Sequence, residues 1–257
     1  MTRSRDTGPG PGPRVRTPAV IEIERVDKRY LGLRPLRLTR LVVRARERVA
    51  IAGLDAQAAE VLVDLITGAT LPDAGEVRVF DASTATIATS DAWFGTLDRF
   101  GIVTNRSALL EGLTTAQNVA LPLTIRIDPV PAPHADSARA LADEVGLPPD
   151  VQARRVESLS PAERVRVHLA RALALDPGVL LLEHPTASLG ARDAGALARD
   201  LATIAEARQV AVLALTNDLD FASVASHRVV RLRPATGELE PVTRSRWARV
   251  RALVEPW

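Results

Sequence analysis

Glu183 and His184 stand side by side at the end of a continuous apolar run, Val179 to Leu182. Such a run is the pattern of a central strand buried on both faces of a parallel sheet. Open α/β sheets bind their ligands just outside the carboxyl ends of their strands, which is where Glu183-His184-Pro185-Thr186 falls. An imidazole with an ordinary pKa of about 6.5 can take a proton from water near neutral pH, so His184 is a candidate general base. A second group is Ser160, with Pro161 next to it and Glu163 three residues on. A serine N-cap, a proline at the first helical position and a glutamate at the third make a capping box. Glu163 then folds back over the helix start, so the chain's own carboxylate takes the place an anion would seek. A third group is Gly53-Leu54-Asp55, ahead of Ala58, Ala59 and Glu60. Asp55 is an N-cap candidate, and two alanines favour helix over a wide loop that needs glycine's freedom. The reading is a helix over 55–67.

The elements around these groups alternate between strand and helix patterns. Ile21 to Val26, IEIERV, alternates like an edge strand, and Tyr30, the only tyrosine, follows it. Arg48 to Ala52 reads as a strand entering a turn, Leu71 to Phe80 as a turn and a strand, and Arg99 to Asn105 as a strand. Asp128 to His134, DPVPAPH, reads as a proline-rich loop, and Ser137 to Val145 as an amphipathic helix ended by Gly146. Asp176-Pro177-Gly178 stops the helix that begins after Ser160. Asp193 to Ala207 reads as a helix, Val210 to Leu215 as a buried strand, and Arg228 to Leu232 and Glu238 to Val242 as closing strands. Arg244 to Val254 reads as a short basic helix. Residues 1–18, rich in Gly-Pro, bury nothing and read as a disordered tail, which leaves 19–257 as one domain.

Hydrophobic residues make up 46% of the 257 and aromatics 3%, so leucine, valine and alanine must fill the core. No apolar run approaches the roughly 20 residues of a membrane span, and the N-terminus lacks a secretory signal's apolar core, which predicts a cytoplasmic protein. The absence of cysteine excludes disulfides and thiolate metal sites. The pI of 9.8 accompanies a net charge of only +2, because arginine replaces lysine almost throughout and Lys28 is the one lysine. No basic block is interleaved with aromatics, so no nucleic-acid partner is expected. The four histidines lack metal-site spacing, and no metal site is assigned.

From about residue 20 to 240 the chain resembles the ATP-binding-cassette (ABC) ATPases. The resemblance is carried by LARALALDP after Ser160, by VLLL-x-x-PT ending at Thr186, by the link PDAGEV, and by SALLEGLTTAQNVALPL at 107–123. It implies an α/β fold of the P-loop-NTPase type, with a mostly parallel core sheet, an antiparallel edge sheet and a helical subdomain at about 106–175. It assigns Gly53, Ala58, Ala59 and Glu60 to the Walker A loop, where the family has a second glycine, a lysine for the phosphates and a hydroxyl for Mg²⁺. Asn105 falls at the Q-loop glutamine, and Leu159, Ser160, Pro161, Ala162 and Glu163 at the LSGGQ signature. Glu183 falls at the Walker B aspartate, His184 at the glutamate that polarises water, Gly190 at the D-loop aspartate and Asn217 at the switch histidine. Tyr30 falls where the family stacks an aromatic on adenine, and packing at a strand end is the equal alternative.

The scaffold words are kept and the chemical words are changed. The resemblance implies ATP and Mg²⁺ as cofactors, and the altered residues predict that they bind weakly or not at all. The expectation is a non-hydrolysing subunit on the inner face of the membrane, partnering a transmembrane permease through the subdomain groove and forming a homodimer or a heterodimer with another ABC ATPase. The alternatives are a divergent active ATPase, in which an arginine reaches into the centre and His184 acts as base, and a soluble adaptor.

Overall fold

A computed structural model of the chain describes residues 17–32, 34–104 and 106–242. The tail up to residue 16, Asn105 and the basic segment Arg244 to Val254 lie outside the described residues. Thr17 and Pro18 are hydrogen-bonded to Arg44 and Ala45.

Two sheets form the frame. β1 (Ala19–Lys28), β2 (Leu36–Arg44), β4 (Ala74–Val79) and β5 (Ala82–Ser83) make an antiparallel sheet in the order β2-β1-β4-β5. β3 (Arg48–Ala52), β6 (Phe100–Val103), β7 (Val179–Glu183), β8 (Ala211–Leu215), β9 (Arg228–Arg233) and β10 (Glu238–Pro241) make a six-stranded sheet in the order β10-β9-β3-β8-β7-β6. It is parallel except for β10, which runs antiparallel to β9. β1 is therefore an interior strand, paired on both sides, and not the edge its alternation suggested. Alternation reports one solvated face, and any strand of an antiparallel sheet with one wet face shows it.

Side chains alternate across a strand, so the central sheet feeds two cores. Val179 and Leu181 of β7, with Val49, Ile51, Leu213 and Leu215, pack toward the antiparallel sheet and α1 (Ala56–Thr67). Leu180 and Leu182, with Ala50, Val212 and Ala214, pack on the opposite side. That side is covered by α3 (Thr115–Ala120), α4 (Ala132–Glu144), α5 (Pro149–Ala153), α6 (Pro161–Leu173), α7 (Ala191–Arg208) and α8 (Leu219–Ala225), while α2 (Ser90–Leu97) leads into β6. Gly101 of β6 is forced by this packing: a Cβ there would lie 2.3 Å from the Ala172 carbonyl. α4 begins at Ala132, inside the stretch read as a loop, with Pro131 as its N-cap. Proline at N1 or N2 loses an N–H that has no partner in a first turn anyway, so DPVPAPH starts a helix rather than preventing one. No helix of the described residues is long and apolar enough to cross a membrane.

The start of α6 follows from its first four residues. Ser160 Oγ accepts from the Glu163 N–H at 3.3 Å, and Glu163 Oε2 accepts from the Ser160 N–H at 2.7 Å. Pro161 sits at the first position, and Arg154 pairs with Glu163 at 3.1 Å. Burial pushes the Glu163 carboxyl upward, but the Ser160 N–H and Arg154 outweigh it and hold it below the ordinary glutamate value. A depressed carboxylate stabilises the fold above its unfolded pKa and loses that contribution as pH falls through the folded one. Ser160→Ala is expected to cost about 1 kcal/mol in urea unfolding at neutral pH. Glu163→Gln should cost a few tenths of a kcal/mol at pH 7, and the deficit should shrink as pH falls below the ordinary glutamate value and vanish once the wild-type carboxylate is itself protonated. A Glu163→Gln deficit that does not shrink as pH is lowered through the acid range contradicts the charge-based account.

Candidate functional site at the carboxyl ends of the central strands

The register of the parallel sheet decides which residues meet at its carboxyl edge. Ile51 of β3 lies opposite Leu215 of β8, so Gly53 and Asn217, each two residues on, come level. Gly53 turns the chain at φ +92°, and a Cβ there would lie 2.9 Å from the Leu232 carbonyl. Its N–H donates to Asn217 Oδ1 at 2.8 Å, and Asn217 Nδ2 donates to the Leu54 carbonyl at 2.9 Å. Asn217 thus ties down both sides of the turn with one amide. Asp55 caps α1, its Oδ1 accepting from the Ala58 N–H at 2.8 Å and its carbonyl from the Ala59 N–H at 2.9 Å. The helix starts one residue after the cap, and Ala58 and Ala59 are buried in the core beneath the sheet.

Glu183 is the fifth residue of β7, so it shares a face with Val179 and Leu181, the face that looks onto α1. It is 8% exposed. Its carboxylate accepts from Arg106 Nη2 at 2.9 Å, while Arg106 Nη1 donates to Glu60 Oε1 of α1, also at 2.9 Å. Asp64, one turn after Glu60, lies 4.0 Å from the same guanidinium. Burial, with Glu60 and Glu183 adding to it, raises the Asp64 carboxyl against the opposing pull of Arg106. Burial pulls Arg106 down, but the three carboxylates more than reverse this and hold its charge more firmly than usual.

The sequence reading allowed that an arginine could enter this centre but did not name it. A buried glutamate in a chain with a single lysine was the available signal. Lys28 itself is engaged elsewhere, bonded to the Leu71 carbonyl at 2.8 Å and to Asp73 at 3.4 Å. Glu60 and Asp64 at i and i+4 were also legible as two carboxylates on one helix face.

His184 leaves the strand at φ +44°, in the left-handed region. Its N–H donates to the Leu215 carbonyl at 2.8 Å, and its Nε2 is buried without a hydrogen-bond partner among the described residues. Tyr30 lines a cleft of about 510 Å³ with Arg34, Leu36, Gly53, Leu54, Asp55, Gln57 and Ala58. Burial and then the nearby Asp55 carboxylate raise its phenol above the ordinary value.

The α6 start is not part of this group. Pro161 lines a different cleft, of about 400 Å³, with Ser107, Glu111, Arg164, His168 and Ser188, and the two clefts share no lining residue. There Leu159 is buried and Ala162 partly so, and the Ser160 and Glu163 polar groups are turned onto each other. Burial, then Arg171 and Arg164, lower His168 to about 4, so it is neutral near pH 7. Of the residues singled out in the sequence, the fold gathers Tyr30, Gly53, Ala58 and Asn217 at one end of the sheet edge and Glu60 with Glu183 beside them. It keeps Leu159 to Glu163 apart, and Asn105 lies outside the described residues.

Solved structures share this architecture. A dimeric ATP-binding cassette in a post-hydrolysis state, bound to ADP and Pi, matches with a TM-score of 0.72 at 22% identity, over 87% of this chain and 99% of that one. The cbiO1 subunit of an ABC transporter complex from Clostridium perfringens matches with a TM-score of 0.73 at 17% identity, over 91% and 93%. Among curated proteins, a phosphonates import ATP-binding protein of Rhodopseudomonas palustris is 31% identical over 83% of this chain and 79% of its own length. A sulfate/thiosulfate import ATP-binding protein of Chromobacterium violaceum is 34% identical over 82% of this chain, which spans only 55% of that relative's length. The family model described as ABC transporter matches residues 36–187, more than half of the sequence. With that model and a 31% identical relative matched over most of its length, the chain belongs to the ABC transporter family.

Proposed function

We propose that the chain is the ATP-binding-cassette subunit of an ABC transporter and that its own nucleotide centre does not hydrolyse ATP. In this reading it is a structural or regulatory partner of a membrane permease. The observation that carries it is that the groups at the family's phosphate and Mg²⁺ positions are spent on one another. The Gly53 N–H is taken by Asn217 and the Ala58 N–H by Asp55. At the lysine and hydroxyl positions stand Ala59, which is fully buried, and Glu60. Among the described residues, the one cation paired with Glu60, Asp64 and Glu183 is Arg106, already bonded to two of them.

ABC cassettes bind ATP with Mg²⁺, but the residues present here do not fit that pair. Three carboxylates around one guanidinium leave the centre negative. A carboxylate about 4 Å from a phosphate charge costs up to about 4 kcal/mol at an effective dielectric of 20, and less where it is part exposed, as Glu60 is. The charge-assisted bonds of a lysine, about 1.5–3 kcal/mol, are missing as well. A base role for His184 is disfavoured in this reading, since its Nε2 is buried without a hydrogen-bond partner among the described residues.

The helices between β6 and β7, about residues 106–175, are proposed to form the subdomain that meets the permease. A second ABC ATPase, or a second copy, would complete the dimer on the inner face of the membrane. The active-ATPase alternative draws on the relatives, whose names describe ATP-binding import proteins.

Titration calorimetry with Mg-ATP separates the two readings. The expected result is no dissociation constant tighter than about 1 mM, for want of the lysine's bonds and with Glu60 opposed to phosphate. A micromolar constant that disappears in Tyr30→Ala would establish the active reading instead. A second variant tests the closed loop itself. Asn217→Ala removes the partner of the Gly53 N–H and of the Leu54 carbonyl and, with both bonds partly open to water, should cost about 1 kcal/mol, a fall in Tm of a few degrees. A wild-type Tm in that variant would mean that the amide does not hold the turn in solution.

A further inference from the structure

Arg106 lies at a junction between the central sheet and the helical side. It follows β6 by three residues and opens the segment that leads into α3. Its backbone is fixed by a turn, with the Arg106 N–H on Thr104 Oγ1 at 3.2 Å and the Ser107 N–H on the Thr104 carbonyl at 3.3 Å. Beyond it the segment is anchored to the helical side. The Ala108 carbonyl accepts from Arg171 at 2.9 Å, and Glu111 takes a two-pronged bond from Arg164, both contacts at 2.7 Å. On the other side, the Arg106 guanidinium grips Glu60 of α1 and Glu183 of β7. The segment 106–111 is thus a strap with one end sewn to α6 and the other to the sheet. Among the described residues, Arg106 makes every ion pair that joins the strap to the sheet side.

We propose that Arg106 is an internal latch that holds the helical part of the molecule in one setting against the central sheet without any ligand. The buried Glu183 makes the latch strong, because its carboxylate has no other ion-pair partner among the described residues. Releasing Arg106 uncovers that charge, and breaking one side of a buried pair is far more costly than removing both. Glu60 and Asp64 on α1 add to the hold and give the guanidinium two directions to bond at once. The inference rests on this geometry alone and stands whether or not nucleotide binds.

Native-state hydrogen exchange on the full chain, with thermal melts, tests it. Arg106→Gln is expected to lower the Tm by about 2–4 °C or more and to speed exchange across 106–113 by at least about tenfold, with β8 and α7 unchanged. Arg106→Lys should recover part of the protection. Arg106→Gln combined with Glu183→Gln should be less destabilised than Arg106→Gln alone, because the stranded charge is gone. If Arg106→Gln does not fold, Glu60→Gln, which uncovers no buried charge, should show the same local loosening at smaller size. Exchange across 106–113 that is unaltered in Arg106→Gln, or in Glu60→Gln where the former does not fold, overturns the latch. So does a double variant no better than Arg106→Gln.

Discussion

A carboxylate at the end of a strand whose every residue is buried has to be matched by a cation or lose its charge. Glu183 is placed there by the period of β7, which turns its odd-numbered residues toward α1. Arg106 is the match, and meeting it fixes more than one side chain. It holds Glu60 and Asp64 of α1 and Glu183 of β7 within reach of one guanidinium at the carboxyl edge of the sheet. Removing two charges from water is costly, so an arrangement of this kind persists only when the geometry is good and the remaining donors are used.

The neighbouring turn is completed in the same manner. Gly53 gives the chain a conformation and a clearance that no side chain permits, and Asn217, level with it across β3 and β8, uses both ends of its amide to close the turn. Asp55 then starts α1 at once, which draws Ala58 and Ala59 into the core. Alanine makes this possible on two counts. It is the best helix former, and it is small enough to sit beneath a sheet. The same backbone with glycine in those positions would have the freedom to stay open around a ligand. At the start of α6 the pattern recurs, with Glu163 and Ser160 satisfying each other's N–H groups. These stretches of chain are held by hydrogen bonds within the molecule, which is the internal closure that the proposed non-hydrolysing cassette draws on.

Scaffold and chemistry are separable in this fold because they rest on different forces. The cores on the two faces of the six-stranded sheet are built from leucine, valine, isoleucine and alanine on strands and helices, and they tolerate any change at the carboxyl edge that keeps the edge satisfied. Polar groups at that edge are few and each has a single geometry. Membership of the ABC transporter family follows from the first set of residues, and function has to be argued from the second.

The sequence by itself determined the fold class, because the scaffold stretches that carry the family resemblance, such as LARALALDP and VLLL, are local runs of residues. It also determined the two caps, at Asp55 and Ser160, since a cap is a local exchange of hydrogen bonds over three or four residues. It misread β1 as an edge, because alternation reports a wet face and not a missing neighbour. It also delayed the start of α4, because proline was counted as a breaker where a first turn accepts it. What only the tertiary structure decided is the pairing across distance. Asn217 meets Gly53 through the register of two strands 164 residues apart, and Arg106 meets Glu183 across 77 residues and Glu60 across 46. No local pattern encodes such meetings, because which of many arginines serves a buried carboxylate depends on where the strands bring the chain back.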